Sequence, residues 1–241
     1  MRQSRLFLAT AIALSLFAPA AFAAKSIEKV MGSITAHAGE DYGSLETVNG
    51  NIHVEAGAKT GDIAAVNGNL HLETGATVGD AETVNGNIKA DGKLKADSVE
   101  TVNGSIRLGE QSRVGEIDTV NGSIFTDRGS EIARDIDTVN GSIGLVDTDV
   151  NGGISTVNGD ITVGVGSHVR GGITVEKPNS KWMPVSMKQR KLRIVIGPNA
   201  VVEGPLVFKR EVTLYVHKTA RIGQVTGATA ISYDGARPPQ N

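Results

Sequence analysis

The chain of 241 residues contains no cysteine. Disulfides are therefore excluded, and so is a lipidated N-terminal cysteine. Aromatic residues make up only 4% of the sequence, and no nucleic-acid motif is present, so there is little on which bases could stack. No extended 3.6-residue apolar periodicity occurs, and glycine is abundant at 30 residues, which argues against helix. The longest apolar run, Leu6 to Phe17, is short for a membrane span. It follows Arg2 and Arg5 and precedes Ala21-Phe22-Ala23, the layout of a secretory signal peptide. Residues 1–23 are thus expected to be removed near Ala23, leaving a periplasmic or secreted chain with no transmembrane span.

The small net charge of −2 conceals an asymmetry. Residues 24–175 carry 11 Lys/Arg against 22 Asp/Glu, a net of −11, whereas residues 176–241 carry 11 against 4, a net of +7. An acidic body with a basic end predicts contacts that salt weakens.

What the sequence does have is a repeat. Val-Asn-Gly begins at Val48, Val66, Val84, Val102, Val120, Val139 and Val157, an 18-residue period in which a single interval is longer by one. A degenerate copy starts one period earlier at Val30, and Val175 lies one period after Val157. So strict a period is the fold itself. Counting each valine as zero, position +4 is always Ile or Leu, and +6 is mostly aliphatic. Position +10 is often small, +12 is often aliphatic, and another apolar residue falls near +15. The +4/+6 and +10/+12 pairs alternate as strands do, and the gaps hold Gly, Asn, Asp and Ser, which favour turns.

Three short strands and three corners in each period predict an all-β fold. It is a single-stranded parallel β-helix, or β-solenoid, whose three-sided coils stack at about 4.8 Å. Asn-Gly reads as a corner in which both residues tolerate left-handed angles. Stacked in register, Asn49, Asn67, Asn85, Asn103, Asn121, Asn140 and Asn158 are expected to form an amide ladder. The threonines before them, from Thr47 to Thr156, form a second column. The extra residue between Ile132 and Val139 is expected to sit in a corner bulge.

The organisation predicted is a leader over 1–23, regular coils over 24–175, a basic excursion over 176–191, irregular coils and a cap over 192–232, and a disordered tail over 233–241. The excursion carries Lys177, Lys181, Lys188, Arg190 and Lys191, a candidate contact for envelope polyanions. Two further coils follow it, and their Phe and Tyr are expected to close the open end of the core, because an unpaired edge invites association.

The segment "IVIGPNAVVEGPLVFKREVTLYVHKTARIGQVTGA" resembles the bactofilin family of polymer-forming bacterial scaffold proteins. Its x-Val-Ile-x-x-x-Ala-x-Val-x-Gly units carry the resemblance. The Thr-Val-Asn-Gly region is similar to adhesin-type β-solenoid domains of exported bacterial proteins. Bactofilins imply a right-handed β-helix that polymerises without nucleotide. Neither family implies a catalytic residue or a cofactor, although bactofilins are typically cytosolic or membrane-associated and this chain begins with an export signal.

Two chemical alternatives compete with a purely structural reading. Hexapeptide acyltransferases also build 18-residue coils, and Val54 with Ala58 or Leu108 with Ser112 fits their rule. On the third side the rule would turn Glu82, Glu100 and Asp118 inward, a prohibitive stack of buried carboxylates. The histidines, at 37, 53, 71, 168 and 217, read as surface residues rather than a catalytic base. The acidic column Glu82, Glu100, Asp118 and Asp137 is a candidate for a hard cation such as calcium, but the Gly-Gly-x-Gly-x-Asp repeat is absent. The expectation is a non-enzymatic structural or adhesive rod without cofactor or metal. Its partners would be further copies of itself, in an oligomer or filament, or envelope glycans and polyanions, and not nucleic acid. The alternatives are a glycan- or cation-binding surface and, behind it, an acyltransferase.

Overall fold

The computed structural model describes residues 25–178 and 190–239. The leader and the two excursion lysines Lys181 and Lys188 lie outside these residues. Among the described residues there are 27 strands and no helix, and every named strand pairing is parallel. The chain is an all-β parallel β-solenoid.

One sheet stacks eleven strands, each the +4 to +6 strand of its coil, from Ile34–Ala36 to Ala230–Tyr233. A second sheet of sixteen strands contains two rows of strands, which long strands such as Lys95–Asn103 and Arg113–Asn121 join around a corner. Pairing falls in register on identical positions: Ile106 lies between Ile88 and Ile124, and Thr119 between Thr101 and Thr138. Stacked aliphatic side chains share one continuous core running from Ile34 to Leu214.

The inward rows are +4 and +6, +10 and +12, and on the Thr-Val-Asn strands the apolar residue at −3 together with the threonine at −1. Leu45, Ile63, Val99, Ile117 and Ile136 are fully enclosed, and Thr47, Thr83, Thr101, Thr119 and Thr138 are buried beside them. A buried hydroxyl needs a partner. Each of these threonines donates to the carbonyl of a glycine 15 or 16 residues earlier, at 2.9–3.3 Å. The valines of Val-Asn-Gly therefore point outward.

The glycines of the motif serve a purpose other than left-handed angles, contrary to the expectation from sequence. None of the motif glycines, from Gly50 to Gly159, has positive φ, and neither does any ladder asparagine. Instead a Cβ at each would stand 1.7–2.2 Å from the carbonyl oxygen of the matching glycine one coil earlier. The corners stack too closely for any side chain. Left-handed residues recur at another corner, eight or nine residues after the valine, at Gly57, Gly75, Lys93, Gln111, Gly129, Asp147 and Gly166.

One residue is inserted and a later corner is one residue short. Val114 pairs Ile132 while Ile117 pairs Ile136, so the insertion lies between Ile132 and Ile136. Thr126 pairs Leu145 with that extra residue, but Ser130 pairs Thr148 at the regular step, so the corner between Leu145 and Thr148 lacks one residue. The corner after Val163 returns to the regular length, and Asp149 therefore pairs His168 one residue beyond the regular step. This shift corrects the reading of Val175. It stacks on Thr156 in the buried threonine row, and the hydroxyl of Thr156 is left without a partner.

The last coils continue the stack without Asn-Gly. Their intervals lengthen and shorten: Ile161 pairs Ile194, Ile194 pairs Leu214, and Leu214 pairs Ala230. Phe208 fills the core, but Tyr215 and Tyr233 do not close its end. They cluster with Val195 on the outside of their sheet. Tyr233, read from sequence as the first residue of a tail, is the buried last residue of a strand. Beyond it, Pro238 and Pro239 accept hydrogen bonds from Arg193.

Candidate functional site

The outer surface of the Thr-Val-Asn strands gathers three columns. Side chains alternate along a strand, so the buried threonine at −1 leaves −2 and 0 facing out. Position 0 gives a half-buried row of valines: Val48, Val66, Val84, Val102, Val120 and Val139. Position −2 gives Glu46, Glu82, Glu100, Asp118 and Asp137, broken by Ala64. Where Ala64 replaces a carboxylate, a hollow of about 230 Å³ opens between Glu46 and the valines at 30, 48 and 66.

At the edge of this face stands the amide ladder. The Nδ2 of each asparagine from Asn67 to Asn158 donates to the Oδ1 one coil earlier, at 2.9–3.0 Å. All the amides point the same way, so the ladder ends on an uncompensated carbonyl oxygen at Asn158. The Arg210 guanidinium, 52 residues later, donates to that oxygen and to the backbone carbonyl of Val157. Sequence spacing carries no signal for this cap.

The carboxylates crowd one another at coil spacing, and none of the five takes part in an ion pair among the described residues. Loss of water and neighbouring negative charge push Asp118 up to about 8 and Asp137 up to about 6. Glu82 and Glu100 are raised for the same reasons in the same order. Arg134 lies close by, with its Nε 2.9 Å from Glu116. It belongs to the inserted segment between Ile132 and Ile136, which is why spacing alone does not reveal it. Oxygens of Glu116, Asp118 and Asp137 lie within 4.8 Å of one another, near enough to share a hard cation. Glu82 and Glu100 continue the row but stand outside that cluster.

The basic excursion residues fare differently. Arg190 pairs with Asp160, and Lys191 lies 3.3 Å from Glu211. Lys177 makes no ion pair among the described residues. The histidines are also occupied. His53 reaches Glu73 at 2.8 Å, His71 reaches Asp91 at 2.9 Å, and His168 reaches Glu203 at 2.7 Å. The rings of His53 and His71 stack 5.0 Å apart. His217 is buried against Tyr233 rather than at the surface.

The third row is one residue out of phase with a six-residue rule. Inward positions fall at −3 and −1 where that rule needs −2 and 0, so Glu82, Glu100 and Asp118 lie outside and threonines inside. Comparison with family models, curated proteins and solved structures returned no match.

Proposed function

We propose that the chain is an exported, non-enzymatic structural or adhesive element of the bacterial envelope that works by presentation. The observation that carries this reading is the outer face of the Thr-Val-Asn strands. There, one valine and, in most coils, one carboxylate recur at each step for six coils of a rod roughly 50 Å long. A surface built from identical rows suits a partner that is itself repetitive, such as a polymer or a further copy of the rod. The leader-like start supports export. Fractionation of the native host should recover the chain, shortened near Ala23, from the envelope or medium. Sedimentation of the isolated chain should show association that weakens as salt rises, and a monomer at every concentration and ionic strength overturns self-assembly.

A second reading, a cation-dependent glycan-binding surface, is favoured by the convergence of Glu116, Asp118 and Asp137. It requires retention on peptidoglycan or lipopolysaccharide that calcium strengthens and a chelator removes.

A further inference from the structure

The acidic row has a counterpart on the same molecule. At the outward position of the +10 to +12 strands, Lys59, Thr77, Lys95 and Arg113 stack in register on successive coils. Lys93 joins them from the left-handed corner of its coil. Lys93, Lys95, Gln111 and Arg113 line a shallow hollow of about 460 Å³. Lys59, Lys93 and Lys95 are exposed and form no ion pair among the described residues, and Arg113 only approaches Glu131 at 3.7 Å. At the flanking position Gly61, Gly79 and Gly115 add no side chain, and Asp97, exposed beside Lys95, makes no ion pair among the described residues.

We propose that two copies of the rod associate side by side, the valine–carboxylate face of one against the Lys59–Arg113 strip of the other. This rests on the self-assembly reading above and specifies its contact.

Three features argue for a second copy as the occupant. Both strips repeat at the same step, about 4.8 Å, so cations on successive coils meet carboxylates on successive coils. The basic column is bounded by Asp41 on one side and by Glu131 and Asp149 on the other, so a shift by a whole coil loses contacts and one register is preferred. An ordinary helix or extended peptide has no such repeat along its length. Each strip also repels itself, and apposition relieves both: it brings counter-charge to a carboxylate row and to lysines that form no ion pair among the described residues. Finally, the strips lie on different rows of one rod, so each copy offers one of each. Such a heterologous contact continues from copy to copy rather than closing as a pair. The face is small beside a standard interface, so the association should be weak per contact, strongly salt-dependent, and strengthened by the number of coils engaged.

The test is exchange of charge between copies of the full chain. Sedimentation velocity at about neutral pH and low salt should give concentration-dependent association of the native chain, with the association constant falling at least tenfold in high salt. Glu82→Lys with Glu100→Lys should sediment as a monomer, and so should Lys95→Glu with Arg113→Glu. An equimolar mixture of the two variants should associate again, to within a few-fold of the native constant. Circular dichroism and the melting temperature check that both fold, and Glu82→Gln with Glu100→Gln weakens association without introducing new charge.

If either reversed variant associates like the native chain, the contact lies elsewhere and this inference fails, while self-assembly stands. If both fold and their mixture stays monomeric, the inference also fails. A native chain that is monomeric under all conditions overturns the contact and self-assembly together. That holds equally if calcium or polylysine then binds the acidic face, since the face would belong to another cationic partner.

Discussion

The regular coils and the coils after the excursion solve the same stacking problem in opposite ways. Before Val175, each coil repeats its neighbour: aliphatic on aliphatic, threonine on threonine, amide on amide. Outward carboxylates and several lysines are left without counter-ions. After Arg190, identity is replaced by particular contacts. Phe208 fills the core, Arg193 lies 5.1 Å over the ring of Tyr215, Lys191 and Lys218 pair with acids of the same part, Lys209 pairs with Glu176, and Arg190 reaches back to Asp160 of the regular coils. The difference teaches where binding capacity resides. The basic end keeps its excess of cations but holds four of them in ion pairs, whereas the outward carboxylate column of the repetitive part has none among the described residues.

The largest expected effect tests the claim that close stacking dominates the regular part. In Gly104→Ala the new Cβ would stand 1.8 Å from the carbonyl oxygen of Gly86. Backbone must move on both coils, and the expected loss is about 3–5 kcal/mol by denaturant unfolding. The matched control beyond the excursion is Gly235→Ala, where the nearest atom is 3.7 Å from the added carbon. No change beyond about 0.5 kcal/mol is expected there. Equal losses would break the comparison.

Next comes pH. Unfolded aspartate releases its proton near 3.9, whereas Asp118 holds its proton up to about 8 and Asp137 up to about 6. Across that window the folded chain binds more protons than the unfolded one, so stability falls as pH rises. The melting temperature should therefore be higher at pH 5 than at pH 8.5. Asp118→Asn should flatten the dependence and stabilise the chain at pH 8.5 by about 1–3 kcal/mol, several degrees, because the carboxyl keeps some contact with water. In the C-terminal part the sign reverses: the Lys218 hydrogen bond holds Asp234 below the usual carboxylate range. Asp234→Asn should leave the decline toward alkaline pH untouched.

The ladder sharpens the contrast on a smaller scale. Asn103 donates to Asn85 and accepts from Asn121, both at 2.9 Å, while Asn49 only accepts from Asn67. Asn103→Ala should cost about 1–2 kcal/mol and Asn49→Ala roughly half as much, measured in urea.

How much of this was legible in the sequence follows from what repetition can encode. The coil, its register and the stacked asparagines recur at a fixed spacing, so the fold could be read from that spacing. Which face of the Thr-Val-Asn strand turns inward could not be read with the same ease. Valine is the more apolar residue, yet threonine is buried because its hydroxyl finds a glycine carbonyl on the preceding coil. The role of the motif's glycine was hidden for a related reason, since its constraint comes from the next corner and not from its own angles. The short corner between Leu145 and Thr148 offsets the longer corner that follows it, so Val139 and Val157 keep the regular spacing and Val175 reads one position away from its place. Arg134 and Arg210 reach their partners through long side chains across coils, and no period records that.

The smallest expected effect concerns the paired charges themselves. Lys209 lies 2.6 Å from Glu176, with 47% and 17% of the side chains exposed. Such a pair gains little Coulomb energy in water and gives up side-chain freedom to hold its geometry. A double-mutant cycle with Lys209→Ala and Glu176→Ala should therefore give a coupling of about 0.2–1 kcal/mol that shrinks with salt. The physical consequence of these pairs lies elsewhere, in lowering the charge that the basic end can offer. If the paired cations are released by Glu176→Gln with Glu211→Gln, binding of the chain to an anionic exchanger should strengthen measurably while its stability barely changes. A coupling well beyond the range of exposed pairs, about 2 kcal/mol or more, would mean instead that the C-terminal pairs hold their coils together, as stacking does in the regular part. The two regions would then differ in composition but not in principle.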